Sequence, residues 1–242
     1  VPLADQANTL GVAARTLLSW DGAVDPSSPA PTLYQSLLSV LMDTLLEDEV
    51  TPATMSYLHF YFNTDPLLFG ILGHPENPAW ENRRTREDET PERVVSRAFG
   101  ETVGRLTRAY GQDVQTWTWR RAAPVALSHP LGNVPGFWSS NRTGIPARGT
   151  ASSIFMHKYS RSNPVRFPVI YGPALRLVVD FADMAHSFIS IPGGESGRPG
   201  ARHYDDILRL FEKGEGVELG ADTAEFRGKT ELVIELGPSA RE

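Results

Sequence analysis

The chain has 242 residues, 40% of them hydrophobic, with 23 basic against 29 acidic side chains and a formal net charge of −6. That is enough apolar material to bury a core, in one large domain or two small ones, and the charge leaves no electrostatic footprint for a phosphate backbone, which argues against a nucleic-acid partner. Without cysteine, disulfides, thiolate nucleophiles and Cys-ligated zinc are excluded, and no apolar run approaches the roughly 20 residues of a membrane helix.

The first half reads as helices. From Leu3 to Trp20, Leu3, Ala7, Leu10, Ala14, Leu17 and Leu18 recur at helical spacing. The pattern breaks at Trp20-Asp21-Gly22, where glycine suits a turn. After a linker between Pro26 and Pro31, residues Thr32 to Glu47 carry Leu33, Leu37, Val40, Leu41 and Leu45 on one face, as a core-packing helix does. Met55 to Leu72 is ambiguous between short helices and a strand. Gly73 to Glu89 is polar and densely charged, which predicts an exposed loop. Thr90-Pro91 then announces a helix, Thr as N-cap and Pro in the first turn, running to Tyr110-Gly111.

From residue 113 the character changes. Trp117 and Trp119, two apart in TWTWRRAAPVAL, share a face if the segment is extended. Ser128 to Gly149 is rich in Gly and Pro, as a loop is. Ala151 to Tyr159, Leu175 to Phe181 and His186 to Ile191 read as strands, His203 to about residue 213 as a short helix, and Thr230 to Leu236 as a closing strand. Helices first and strands afterwards define an α+β class, with a mainly helical segment at 1–112 and a β-rich one at 113–242.

Four motifs, in order, carry a resemblance. Leu17-Leu18-Ser19-Trp20-Asp21-Gly22 comes first, then Trp117-Thr118-Trp119 followed by His129-Pro130-Leu131. Next come Gly172-Pro173 and Arg176-Leu177-Val178-Val179-Asp180. Last are Pro192-Gly193-Gly194-Glu195-Ser196-Gly197 and His203-Tyr204-Asp205-Asp206-Ile207. This series resembles the C-terminal portion of the nucleophile-bearing chain in the penicillin acylase (penicillin amidase) family. Glu195 and Ile207 stand where that family usually has Gln, and Pro146 to Ser153 departs from its Pro-x-Gly-Gly run.

The resemblance implies part of an αββα N-terminal nucleophile hydrolase. Such enzymes cleave amides with a chain-terminal Ser whose own α-amino group, with a pKa near 8, is the base. Backbone N–H and an Asn side chain hold the oxyanion. The chain starts with Val1, so it is expected to be a processed product or a fragment, inactive alone, with no catalytic residue, metal or cofactor of its own. Its expected partners are the remaining N-terminal part of the same precursor and, in the full enzyme, a small amide substrate. The bare docking surface would favour self-association. A periplasmic or extracellular location is implied by the family, although VPLADQANTL lacks the n- and h-regions of a signal peptide.

Individual residues offer competing readings. Asp180 resembles the position where cephalosporin-acylase relatives place a Glu that orients an active-site His, whereas the residues themselves favour a carboxylate paired with Arg176 or another surface cation. His203, Asp205 and Asp206 are metal-ligand types, but acids at a helix start more often cap it. Ser196 partly matches a G-x-S-x-G elbow, yet Gly197-Arg198-Pro199-Gly200 blocks the helix that motif needs. Gly193, Gly194 and Gly197 are expected to supply positive φ. The alternative to an acylase is a noncatalytic binding module, with Trp117, Trp119 and Trp138 as a stacking platform and Arg120-Arg121 holding a carboxylate; against it, a mixed α+β domain must bury such large rings somewhere, which favours packing the Trp117–Trp119 pair against the helical half.

Overall fold

The computed structural model describes residues 3–60, 64–85 and 89–219. The chain divides into two compact units, Val1–Pro173 and Ala174–Glu242. The break at residue 173 lies well past the helix-to-strand change of character at residue 113, because the first strands pack with the helices that precede them.

In the first unit, α1 (Thr9–Leu18), α2 (Ala30–Leu46), α3 (Pro52–Phe60), α4 (Thr64–Leu72) and α5 (Pro91–Tyr110) make the helical half. Asn8 starts α1 by accepting from the Gly11 N–H at 3.0 Å. At its far end Trp20 donates to the Ala23 carbonyl at 2.7 Å, Asp21 accepts from the Ala23 N–H at 2.9 Å, and Gly22 takes φ 88°. The Trp-Asp-Gly sequence is therefore one self-closing turn. α2 is buried along nearly its whole length, on more than the single face its leucines suggested. A helix apolar on most sides belongs in the centre of a core, and α1 and α5 pack against it. α5 begins as the sequence predicts: the Thr90 hydroxyl accepts from the Arg93 N–H, Pro91 occupies the first turn, and Val94, Ala98, Phe99, Val103 and Leu106 face the core.

The ambiguous stretch from Met55 resolves into α3 and α4, both helical. The charged stretch after Gly73 is less free than its composition suggested. Trp80 is buried and donates to the His74 carbonyl at 3.0 Å, Asn82 donates to Glu47 at 2.9 Å, and Glu89 pairs with Arg97 at 2.5 Å.

The tryptophan platform is not formed. Residues 114–116 make a 3-10 turn and Trp119–Ala122 a short helix, α6. Trp117 and Trp119 are each 0% exposed, and only Trp138 is open, at 66%. Trp117 donates to the Gly111 carbonyl at 2.9 Å within the helical core. Trp119 packs with its ring centroid 5.7 Å from both Tyr159 and Phe167. Extended geometry loses here because the Trp119 and Arg120 N–H groups donate to Ser28 and Pro26, at 3.0 and 2.8 Å, which curls the segment against the 26–28 linker. Arg121 lies over the Tyr110 ring at 4.6 Å. Rings of this size bury themselves when a core is available.

After α6, β1 (Pro124–Leu127) pairs antiparallel with β2 (Arg142–Pro146), with a bulge at Val125/Ala126, and β3 (Lys158–Tyr159) pairs with β4 (Val169–Tyr171). The strand expected over Ala151–Tyr159 shrinks to its last two residues, since 150–157 folds into a tight loop in which Ser153 accepts from the Thr150 N–H at 2.8 Å.

The second unit holds β5 (Arg176–Val178), β6 (Phe188–Ser190), α7 (Leu208–Lys213) and β7 (Val217–Glu218), with the strands in the order β5-β6-β7 and both pairings antiparallel. The strand expected at Thr230–Leu236 lies outside the described residues. The α+β class read from the sequence holds.

Trp119→Ala is expected to lower stability by about 3–5 kcal/mol, the range for emptying a buried aromatic site, and Thr90→Ala by about 1 kcal/mol through its lost cap. Urea unfolding followed by far-UV circular dichroism measures both; unchanged midpoints would contradict the packing described.

Candidate functional site

The motif-bearing segment after residue 174 is organised by its sheet register. Leu177 lies opposite Ile189 and Ile189 opposite Val217, so these three share one face. Arg176 lies opposite Ser190, and Val178, Phe188 and Glu218 lie in line, on the other face. That second face carries α7: the Arg176 guanidinium sits 3.6 Å from the centroid of the Phe211 ring and donates to the Phe211 carbonyl at 2.9 Å. Half-burial pulls the Arg176 pKa down from 12.5 to about 10, which still leaves it cationic at neutral pH. The arginine of the Arg-Leu-Val-Val-Asp motif therefore anchors a helix.

The glycine turn is stitched to the His-Tyr-Asp-Asp segment. The Ser196 N–H donates to the His203 carbonyl at 2.8 Å and the Ile207 N–H to the Gly193 carbonyl at 3.0 Å. Gly193, Gly194 and Gly197 do not have positive φ, contrary to expectation. What demands glycine at 194 is proximity, since a Cβ there would sit 2.2 Å from the His203 carbonyl oxygen. Ser196 starts no helix; its hydroxyl accepts from the Arg198 N–H at 3.2 Å, and the next helix is α7, twelve positions on. Asp205 and Asp206 do not cap α7 with their side chains, because its N-cap is Ile207. Instead the Asp206 carboxylate meets His203 Nδ1 at 2.6 Å, and that hydrogen bond holds Asp206 below the usual carboxylate range.

Asp180 closes a turn. Its Oδ1 accepts from the N–H groups of Ala182 and Asp183, at 2.9 and 3.3 Å, so its carboxylate is committed to backbone rather than to Arg176. Its own N–H donates to the Ser187 hydroxyl at 3.1 Å. The turn presents Asp183, whose carboxylate meets His186 Nδ1 at 2.8 Å. That hydrogen bond raises the His186 pKa above 6.5, with Asp183, Glu218 and Asp180 adding charge attraction. The structure thus brings an Asp–His pair next to Asp180 that the sequence reading did not single out; an Asp-x-x-His spacing within a short helical turn was the available signal. Among the described residues no group of three or more His, Cys, Asp or Glu could hold a metal ion.

Sequence reasoning also missed a buried charge network in the first unit. Arg161 and Asp65, both buried, pair at 2.5 Å. Arg161 further donates to Thr64 at 2.8 Å and to Gln35 of α2 at 3.2 Å, and the Ser152 hydroxyl donates to Asp65. With every member hydrogen-bonded to another, this network fastens α2, α4 and the loops at 152 and 161 to one point. Its chemistry is structural, since the arginine and the carboxylate are both occupied.

A fold likeness covers 98% of this chain: the thermostable penicillin G acylase from Alcaligenes faecalis, in its orthorhombic form, superposes with a TM-score of 0.52 at 18% identity, with 45% of that chain covered. The fold is accordingly that of part of this penicillin acylase. The penicillin amidase family model matches residues 1–227, and the chain belongs to that family. Among curated relatives, the acyl-homoserine lactone acylase QuiP of Pseudomonas syringae pv. tomato is 23% identical over 98% of this chain and 30% of its own length. The protein of the same name from Pseudomonas putida is 26% identical over 87% of this chain and 26% of its own length. The chain therefore spans less than a third of these relatives.

Removing one partner of a buried ion pair strands the other, so Asp65→Asn is expected to cost about 3–5 kcal/mol in denaturant unfolding, whereas Asp65→Leu combined with Arg161→Met recovers much of that loss. An unperturbed Asp65→Asn midpoint would contradict the network. For His186, the raised pKa means its pairing stabilises the fold fully below pH 6.5 and stops doing so as pH rises through the folded value. An NMR titration is expected to place the His186 midpoint above 6.5 and Asp183→Asn to lower it toward that value, Glu218 and Asp180 remaining.

Proposed function

We propose that this chain is part of an amide-hydrolysing acylase whose nucleophile is a chain-terminal Ser carried outside these 242 residues. The observation that carries the reading is the family match across residues 1–227. It is supported by relatives that are acylases and are more than three times as long as the part they share with this chain. In the reaction proposed for the whole enzyme, the Ser hydroxyl attacks the amide carbonyl while its α-amino group takes the proton. Hydrogen-bond donors hold the resulting oxyanion. The proton passes to the departing amine, and water then hydrolyses the acyl-serine to regenerate the enzyme.

The residues described here supply framework to that reaction. Arg176, Gly194 and the Asp180 turn shape the second unit, while the Arg161–Asp65 pair and the buried tryptophans shape the first. Of these, Asp180 is the residue proposed to lie nearest the reacting groups, as a carboxylate ordering the turn that carries His186. The substrate class proposed is an N-acyl amide, either an acyl-homoserine lactone or a penicillin, following the relatives' names.

Intact mass and amide hydrolysis of the polypeptide from its native source test the reading together. A longer processed chain that begins with Ser and releases a free amine from an acyl-homoserine lactone or from penicillin G is expected, with no turnover by residues 1–242 alone. A long native polypeptide inert toward both substrates, or hydrolysis by the 242-residue chain itself, would sink it.

A further inference from the structure

The connection from β1 to β2, residues 128–141, contains the His129-Pro130-Leu131 motif, to which the framework described above gives no role. Its backbone is held by turns. The N–H groups of Val134 and Phe137 donate to the carbonyls of Leu131 and Val134, at 2.9 and 3.0 Å, and Gly136, at φ 91°, supplies the left-handed position that the second turn needs after Pro135. Asn141 closes the base, accepting from the His129 N–H at 2.9 Å and donating to the Gly132 carbonyl at 3.1 Å. Each turn brings its first and fourth residues within about 7 Å, so Leu131, Val134 and Phe137 cluster, with Trp138 next in the chain. All four are between 44% and 66% exposed. A connection of this kind is usually filled by small and polar residues; here it carries a ridge of large apolar ones.

The charge around that ridge is one-sided. From Val114 to Val179 the sequence has eight Arg or Lys and no Asp or Glu, a segregation that the net charge of −6 hides. Every acid of the first unit precedes that stretch. Arg142 stands at the base of the ridge, donating to the Ser139 carbonyl at 2.7 Å and to the Asn141 carbonyl at 3.1 Å, and Arg120, Arg121, Arg148 and Arg166 of the same unit are exposed. We infer that the ridge of Leu131, Val134, Phe137 and Trp138 seats in the headgroup region of an anionic lipid bilayer, with the nearby arginines on the lipid phosphates. The combination selects the occupant: apolar side chains on a small loop find cover at the acyl boundary without a matching cavity, the indole suits that depth, and cations free of neighbouring acids gain from an anionic surface. Among the described residues no helix is long and apolar enough to cross a membrane, and the contact inferred is with the bilayer surface alone. It uses no reacting group and stands apart from the acylase reading.

Co-sedimentation of the native polypeptide with phospholipid vesicles tests this. Vesicles of equal parts phosphatidylcholine and phosphatidylglycerol are expected to take up the protein about tenfold or more better than phosphatidylcholine alone, with the advantage shrinking as salt rises. Phe137→Ser combined with Trp138→Ser is expected to lower uptake about tenfold, and Arg142→Gln about fivefold, at unchanged thermal midpoints. A native polypeptide that stays in the supernatant with both vesicle types overturns the inference. Equal uptake by the two vesicle types also overturns it, as does uptake that neither the Phe137→Ser/Trp138→Ser pair nor Arg142→Gln lowers.

Discussion

A helix buried on nearly all sides leaves its neighbours little choice of position, and α2 imposes that condition on the first unit. Its seventeen residues are mostly inaccessible, so α1 and α5 must lie along it, and the chain after α5 must return to close the remaining side. Polar residues on such a helix need partners from whatever comes back. Gln35 obtains one from Arg161, and Arg161 obtains its counter-charge from Asp65 on α4. Hydrophobic burial thus sets which elements touch, and a single ionic contact sets where the late loops dock. The same logic places Trp119, whose backbone is held by the 26–28 linker just ahead of α2 and whose ring fills the space beside Tyr159 and Phe167.

The second unit follows a different rule. Its strands are two or three residues long, too short to form a stable layer through ladder hydrogen bonds alone. Arg176 compensates by bridging sheet and helix, stacking its cationic plane on Phe211 while satisfying a carbonyl of α7. The Gly-Gly-Glu-Ser-Gly turn does the same for the long connection, since its backbone threads between Gly193 and His203 with no room for a side chain at 194. Residues that look chemical on paper, Ser196, His203, Asp205 and Asp206, are largely engaged in holding that connection together.

The helices α1, α2 and α5 were legible because 3.6-residue periodicity and the Thr90-Pro91 start are local signals. The α+β class followed from their order. The burial of Trp117 and Trp119 was legible from their size, but whether their segment is extended stayed open because a two-residue spacing is shared by strands and by a tight helical turn; the carbonyls that decide between them belong to Pro26 and Ser28, far away in sequence. The Arg161–Asp65 pair left no trace in the sequence for the same reason. At Gly194 the residue type was a correct sign of constraint, but a neighbour's carbonyl, not a positive φ, was the cause. The alternation through Leu175, Leu177 and Val179 was visible, yet which of its two faces a helix covers depends on where α7 lands.

The distribution of tryptophan has a spectroscopic consequence. All five, Trp20, Trp80, Trp117, Trp119 and Trp138, precede residue 174, and the indoles of Trp117 and Trp119 are wholly shielded from water. Intrinsic emission therefore reports on the helical unit and is blind to the melting of the sheet that carries Arg176 and the glycine turn. A fluorescence record of this protein unfolding in a single step, excited at tryptophan, would describe only the first 173 residues, and the fate of the rest has to be read from backbone signals or from its one tyrosine, Tyr204.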